Sequence, residues 1–435
     1  MRTLVRKTIL DIELIKQQLL CWANQFNEVI VLDSNSDSNQ NTLYSSYDFI
    51  VAVDAFTSLK TDYDNSFKEL VQYQNQTKDW LFGSISYDTK NAIELLSSKN
   101  KDELDFPDLF FYQPKKLFLL KGKELEIQYL MMCDDEIESD FKVIQNQLVD
   151  FSTQLNSKFT IQQQISFESY IAKVNEFLEA IQRGQVYEAN FCMEFFAQNA
   201  IIDPLSIFQK LNAISKSPFA SYFKRQNQFL MSASPERYLK KTGNKLISQP
   251  IKGTSKRFDD PILDNDSKNF LIQNPKERAE NIMIVDLVRN DLSKTATKGS
   301  VQVEELCEVY SYKQVHQMIS TIVSEVENHL LPVSIIQSSF PMGSMTGAPK
   351  IAAMELIEQI EETKRGLYSG SIGYFTPSGD FDFNVVIRSI LYNKQNKYLS
   401  FSVGSAITAE SIPENEYKEC LLKAKAMFDV LEYNN

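Results

Sequence analysis

Apolar residues recur at two spacings along the chain, and the alternation between them divides it. Between Asp11 and Phe26 the apolar positions Ile12, Ile15, Leu19, Trp22, Ala23 and Phe26 keep helical spacing and predict an amphipathic helix after a short first strand. Residues 28–32, 47–53 and 81–86 read as strands, with a helix near 63–79 and a polar loop over 34–41. The stretch 109–129 predicts a hairpin turning at Lys121-Gly122-Lys123. A helix over about 136–155 leads into 159–165, and a soft boundary there divides an N-terminal subdomain, 1–158, from a larger domain, 159–435.

In the second part Ser166 is placed to cap a helix whose stripe is Phe167, Ile171, Val174, Leu178 and Ile181, stopped by Gly184. A branched and aromatic run, 186–197, predicts a strand, and Asp203-Pro204 opens another helix with cap and proline in preferred places. Short strands dominate 219–250. A hairpin through Pro377-Ser378-Gly379-Asp380 and a further strand near 401–403 occupy 368–410. Antiparallel strands with intervening helices point to an α+β body rather than a doubly wound sheet.

Composition narrows the partners. The charge is −12, from 45 basic and 57 acidic residues, which argues against nucleic acid or an anionic membrane surface. An anionic substrate would need local cations. Five scattered cysteines show neither metal-ligand spacing nor a disulfide framework, as expected of a reducing cytoplasm. No apolar signal core stands at the start, and no apolar run reaches membrane-spanning length. With two histidines in 435 residues, chemistry falls to carboxylates and lysines.

The most informative stretch is Gln249-Pro250-Ile251-Lys252-Gly253-Thr254, after a run over 244–248 that reads as a strand. Proline ends a ladder and glycine permits close backbone approach, so Lys252 is expected at a strand end. Ser234-Pro235-Glu236-Arg237 sets a carboxylate in a similar place. Glu277 and Glu280 stand three apart after Asn274-Pro275, on a face continuing through Ile284 and Val288. Glu416 and Glu419 repeat the design beside Cys420, Lys423, Ala424 and Met427. Each feature has a plainer explanation: a surface lysine in a turn, a buried acid met by Arg278 or Arg289, a solvated helix face. Two acidic pairs without histidine ligands suggest an oxygen-ligated hard cation such as Mg²⁺.

Taken in order with Gly343-Ser344-Met345-Thr346-Gly347-Ala348-Pro349-Lys350 and Gly370-Ser371-Ile372-Gly373-Tyr374, these strings resemble the chorismate-utilising enzymes over roughly residues 165–432. The Pro-Ile-Lys-Gly-Thr string is similar to the members that aminate C4 of chorismate on the way to 4-aminobenzoate. The resemblance implies two packed antiparallel sheets ringed by helices, with the active site between them. It implies that Glu280 and Glu419 bind Mg²⁺, supported by Glu277 and Glu416, and that the metal holds the ring carboxylate. It implies that Lys252 adds at C2 while Glu236 protonates the leaving C4 hydroxyl, after which ammonia attacks C4 and expels the lysine. An ordinary lysine is neutral only about 0.04% of the time at pH 7, and burial beside a divalent cation is expected to favour the neutral amine. Arg388 and Tyr374 are implied to grip the enolpyruvyl carboxylate, and the Gly404-Ser405-Ala406 amides the other one. Thr254 and Lys423 are further contacts.

Two positions depart from the family pattern. Its usual histidine falls on Gln317, with His316 one place early, and neither receives a role. Glu188 stands where the water-adding relatives carry a lysine base, which disfavours water addition. No Gly-x-Cys-x-Gly nucleophile for glutamine hydrolysis occurs, so ammonia is expected from a separate glutamine amidotransferase subunit or from solution. The nearest alternative is the anthranilate-forming branch, which aminates C2 and releases pyruvate. That branch usually has a small residue in place of Lys252 and carries a Leu-Leu-Glu-Ser tryptophan-sensing motif not found in this sequence. A further alternative is a non-catalytic subunit that binds a partner.

Overall fold

The computed structural model describes residues 1–36, 44–149, 159–313 and 315–432. Parts of the expected loop (37–41) and helix (150–155), and the proposed boundary at 158, lie outside the described residues. The helix that is described there is Ile137–Gln145.

Strands pair antiparallel into two sheets that share one long strand, Leu109–Lys121. The first runs from Arg2–Thr8 through Glu124–Leu130, Leu109–Lys121, Phe49–Thr61, Glu28–Asp33 and Phe219–Arg225. It continues through Gln228–Ser234, Ser389–Asn393 and Tyr398–Thr408 to Glu188–Ala197. The second runs from Leu109–Lys121 through Leu81–Ile85, Ser371–Phe375, Phe381–Asn384, Arg237–Thr242 and Lys245–Gln249 to Val315–Glu325. Strands Ile251–Lys256 and Gln302–Ser311 also pair with Val315–Glu325.

The shared strand turns the corner at Pro114, which has no N–H to give a ladder. Residues before it pair with Leu81–Ile85 and those after it with Glu124–Leu130. Its other neighbour slips register between Ala55 and Thr57, beside a positive φ of 61° at Asp54. A bulge opposite a proline bends both strands without stranding a buried amide. Strands from before residue 150 pair with strands from after 218 in both sheets.

Between the sheets lies a core that includes Ile50, Leu119, Phe223 and Leu230 from the first and Phe82, Phe111, Ile372 and Phe383 from the second. The outer face of the first sheet is covered by helices including Phe167–Gln182, Pro204–Ser215 and Pro413–Glu432. Helix Phe167–Gln182 starts at Ser166, whose hydroxyl accepts from the Ser169 N–H, as its sequence predicts. Its buried face is Tyr170, Val174, Phe177 and Ala180, one step away from the predicted stripe, because aromatic Tyr170 and Phe177 meet Phe191 on the sheet. Phe167 stays 41% exposed and meets Tyr417 edge to face.

Pro250 does not end the ladder. The strand resumes at Ile251 with a register slip before Thr254, since the same partner strand is long enough to pair with both halves. Lys252 therefore lies on a strand, and Gly253 takes φ 95° at the slip.

Candidate active site

A cavity of about 610 Å³ opens between the second sheet and the strand Tyr398–Thr408, walled by the helices Pro275–Ser293 and Pro413–Glu432. Each wall brings sequence-predicted residues. Strand Ile251–Lys256 contributes Lys252 and Thr254, and the turn after Gln228–Ser234 contributes Glu236. The first helix contributes Glu277 and Glu280, and the second Glu419 and Lys423. Arg388 and the backbone of Gly404 and Ala406 complete the group.

Local rules place these side chains. Asn274 caps the first helix by accepting from the Lys276 and Glu277 amides, and Pro275 fills the first turn. Buried Asn281, one turn on, donates to the Lys252 carbonyl at 3.2 Å and so ties the helix to the lysine strand. A Cβ at Gly253 would stand 3.1 Å from Glu277 Oε2, so glycine lets that carboxylate approach. A Cβ at Gly404 would meet Cys192 Sγ at 2.7 Å. Lys423 donates to the Gly404 carbonyl at 2.9 Å.

Lys252 is enclosed and donates to Glu188 Oε1 at 2.7 Å. Burial works against its charge, yet Glu188 first, then Glu280 and Glu236, overcome it and push the lysine up to about 12. Burial alone therefore does not make this lysine neutral, because three carboxylates outweigh desolvation. Glu188, read from sequence only as a missing lysine, is the closest partner of the candidate nucleophile.

Glu236 is buried, and burial pushes it up to about 7 against the Ser344 hydroxyl and Lys252. Glu280 is likewise raised to about 7 by burial, opposed by Lys252 and Lys276. Glu277 is raised by burial and then by Glu419. For Glu419 burial is outweighed by Lys423, 2.6 Å away, and the group is held below its ordinary value.

Three predicted contacts do not meet this cavity. Glu416 is buried behind the wall and takes Lys276 Nζ at 3.3 Å. Ser405, expected to act through its backbone amide, turns its side chain the other way, its hydroxyl 3.2 Å from Tyr170 Oη, because alternation along its strand turns Ser402, Gly404 and Ala406 inward. Tyr374 lines a second cavity of about 390 Å³, against Phe82 and Trp80. The tyrosine beside Arg388 is Tyr368, whose signal was its place in Gly366-Leu367-Tyr368-Ser369-Gly370, just upstream of the glycine string. Arg388 itself does not lie on the strand that carries Asp382 and Asn384. That strand ends at Asn384, and Arg388 adopts φ 53° beyond it. Asp382 instead holds Arg237 and Lys240 at the second cavity.

Among the described residues no three acidic, histidine or cysteine side chains are already gathered at ligand distance. Lys276 lies 3.7 Å from Glu280, whose Oε1 is buried without a hydrogen bond. All-oxygen donors, mutual repulsion between Glu277 and Glu419 and an orphaned carboxylate oxygen together suit a hard divalent cation.

A family model described as chorismate binding enzyme matches residues 22–429. The chain is 34% identical over 358 residues to an anthranilate synthase component I-like protein of Synechocystis, covering 81% of this chain and 72% of that one. It is 30% identical over 400 residues to aminodeoxychorismate synthase component 1 of Bacillus subtilis, covering 87% and 80%. With the probable chloroplastic aminodeoxychorismate synthase of rice the identity is 41% over 270 residues, which is 61% of this chain and only 30% of that longer relative. The crystal structure of anthranilate synthase component I from Streptococcus pneumoniae superposes with a TM-score of 0.76 at 22% identity, covering 87% and 91%.

Proposed function

The chain belongs to the chorismate-binding enzymes, and from that premise we propose that it aminates chorismate at C4 to give 4-amino-4-deoxychorismate. The reading places the chain in 4-aminobenzoate and folate biosynthesis in the cytoplasm, with ammonia delivered by a separate glutamine amidotransferase. The observation that carries it is Lys252, enclosed in the same cavity as a fully buried Glu236 held near neutrality.

In this mechanism Arg388 takes the enolpyruvyl carboxylate beside Tyr368. No carboxylate of the described chain pairs with that guanidinium, so its fork is open to a planar anion. The other end of the substrate, bearing the ring carboxylate, lies toward the Gly404 and Ala406 backbone and the glutamate wall. Glu280 and Glu419 are the residues that would hold Mg²⁺, with Glu277 beside them and Glu416 behind, bridged to Glu280 by Lys276. When bound, the metal supplies a hard positive centre for a carboxylate.

Lys252 first passes a proton to Glu188, the acceptor already in hydrogen-bond contact. The neutral amine then forms a bond to C2. The two ring double bonds shift and the C4–O bond breaks, with Glu236 protonating the departing hydroxyl, which leaves as water. Ammonia bonds to C4, the double bonds shift back and the C2–N bond breaks. The lysine nitrogen leaves as the free amine and takes its proton back from Glu188, and the proton shed by the new C4 ammonium restores the acid form of Glu236.

Anthranilate-named relatives at similar identity supply the competing reading. Product analysis with chorismate, ammonium and Mg²⁺ tests both. A product that keeps its enolpyruvyl group, formed with Mg²⁺ and lost on chelation, is expected. Pyruvate with anthranilate would overturn the proposal.

A further inference from the structure

Strand alternation separates two neighbours, Gln317 and His316, onto opposite faces of Val315–Glu325. His316 is fully engaged away from the cavity, its Nδ1 2.8 Å from Ser311 Oγ and its Nε2 3.1 Å from Asp264. Gln317 lines the cavity instead, opposite Thr254 in the ladder. It is only 2% exposed, yet its carboxamide Oε1 has no hydrogen-bond partner among the described residues. A buried acceptor left unmade is costly, so a partner arriving with the ligand would repair it.

We propose that Gln317 is the hydrogen-bond acceptor for the group on C4 of the substrate, first the hydroxyl that leaves and then the ammonia that replaces it. The proposal rests on the C4-amination reading. Of the groups in that reaction, the two carboxylates carry no proton at neutral pH and cannot satisfy an acceptor oxygen. The C4 hydroxyl and ammonia both can, and they occupy the same carbon in turn. The side chain also suits a nucleophile. An amide oxygen accepts an N–H without taking the proton, so the nitrogen lone pair stays free for carbon. A carboxylate at the same place would favour ammonium, which has no lone pair. The orphaned oxygen of Glu280 faces its acidic neighbours and a lysine, and the Ser344 hydroxyl stands beside Glu236. Gln317 is thus the cavity acceptor the metal and acid roles leave unused.

The test uses the full chain with Mg²⁺ and ammonium chloride. Gln317→Leu should raise KM for ammonia by about tenfold, the equivalent of one lost hydrogen bond. Without ammonia it should still gain the mass of chorismate less water on Lys252. Gln317→Glu keeps an acceptor oxygen and should recover the ammonia KM only as pH falls enough to protonate it. A leucine variant with unchanged ammonia KM overturns the proposal. So does an equal loss in both variants with a lowered melting temperature, which marks a structural role. A wild type that yields anthranilate and pyruvate overturns the underlying reading, and this proposal with it.

Discussion

Two cavities lie on either side of Pro235, and their charged groups are treated oppositely. In the smaller one Arg237 forks onto Asp382 at 3.0 and 3.2 Å, lies over the Phe219 ring and reaches Gln249, while Lys240 joins the same carboxylate. Cation and anion satisfy each other there, and Tyr374, backed by Trp80 and Phe82, lines the same cavity. In the larger one Arg388 pairs with no carboxylate of the described residues, Glu280 and Gln317 keep oxygens without a hydrogen bond among them, and Lys252 sits among carboxylates that hold its proton. Residues adjacent in sequence, Glu236 and Arg237, go one to each side. Mutual satisfaction marks the structural cavity, and unfinished pairing marks the chemical one.

The largest effect that should separate them comes from Lys252→Ala. Turnover should fall on the order of 10³-fold or more. Intact mass spectrometry without ammonia should show the chorismate-less-water adduct on wild type and none on the variant. An adduct on the variant would remove Lys252 from the mechanism.

The paired arginines give the next contrast. Arg388→Ala should raise the chorismate KM by roughly 10- to 100-fold, as loss of charged hydrogen bonds does, with little change in melting temperature. Asp382→Ala leaves buried Arg237 and Lys240 without their anion and should destabilise the fold by about 3–5 kcal/mol while the KM stays put. Interchanged outcomes would erase the distinction between the cavities.

The smallest effect is a pH-dependent one. Glu236 is raised in the fold to about 7 from an ordinary 4.5, so its burial costs nothing well below 4.5, and the cost builds up as pH rises from 4.5 to about 7 and stays in full above that. Glu236→Gln should therefore melt higher than wild type at pH 8 and equally at pH 4, although it loses activity. Equal melting at both pH values would mean that Glu236 keeps its ordinary pKa.

Cap signals were legible because they act within a turn: Asn274-Pro275, Asp203-Pro204 and Ser166 start helices where the sequence says they should. The hairpin at Gly122 was legible for the same reason, a positive φ of 55° that glycine supplies. Tyr374 was misplaced because its strand, Ser371–Phe375, turns it toward the other cavity, whereas Arg388 reaches the active cavity from a left-handed residue beyond the strand end at Asn384, a position that alternation does not predict.

The sequence by itself determined the family strings, the helix starts and the set of residue types available for chemistry. Those follow from short-range stereochemistry and from side-chain identity. Only the tertiary structure decided which residues face one another: Glu188, 64 positions from Lys252, as its closest partner, Tyr368 in the cavity and Tyr374 outside it, Gln317 inward and His316 outward. The reason is that a side chain's charge state and role depend on what lies across a sheet or between two helices. Those distances are set by the packing of segments far apart in the chain.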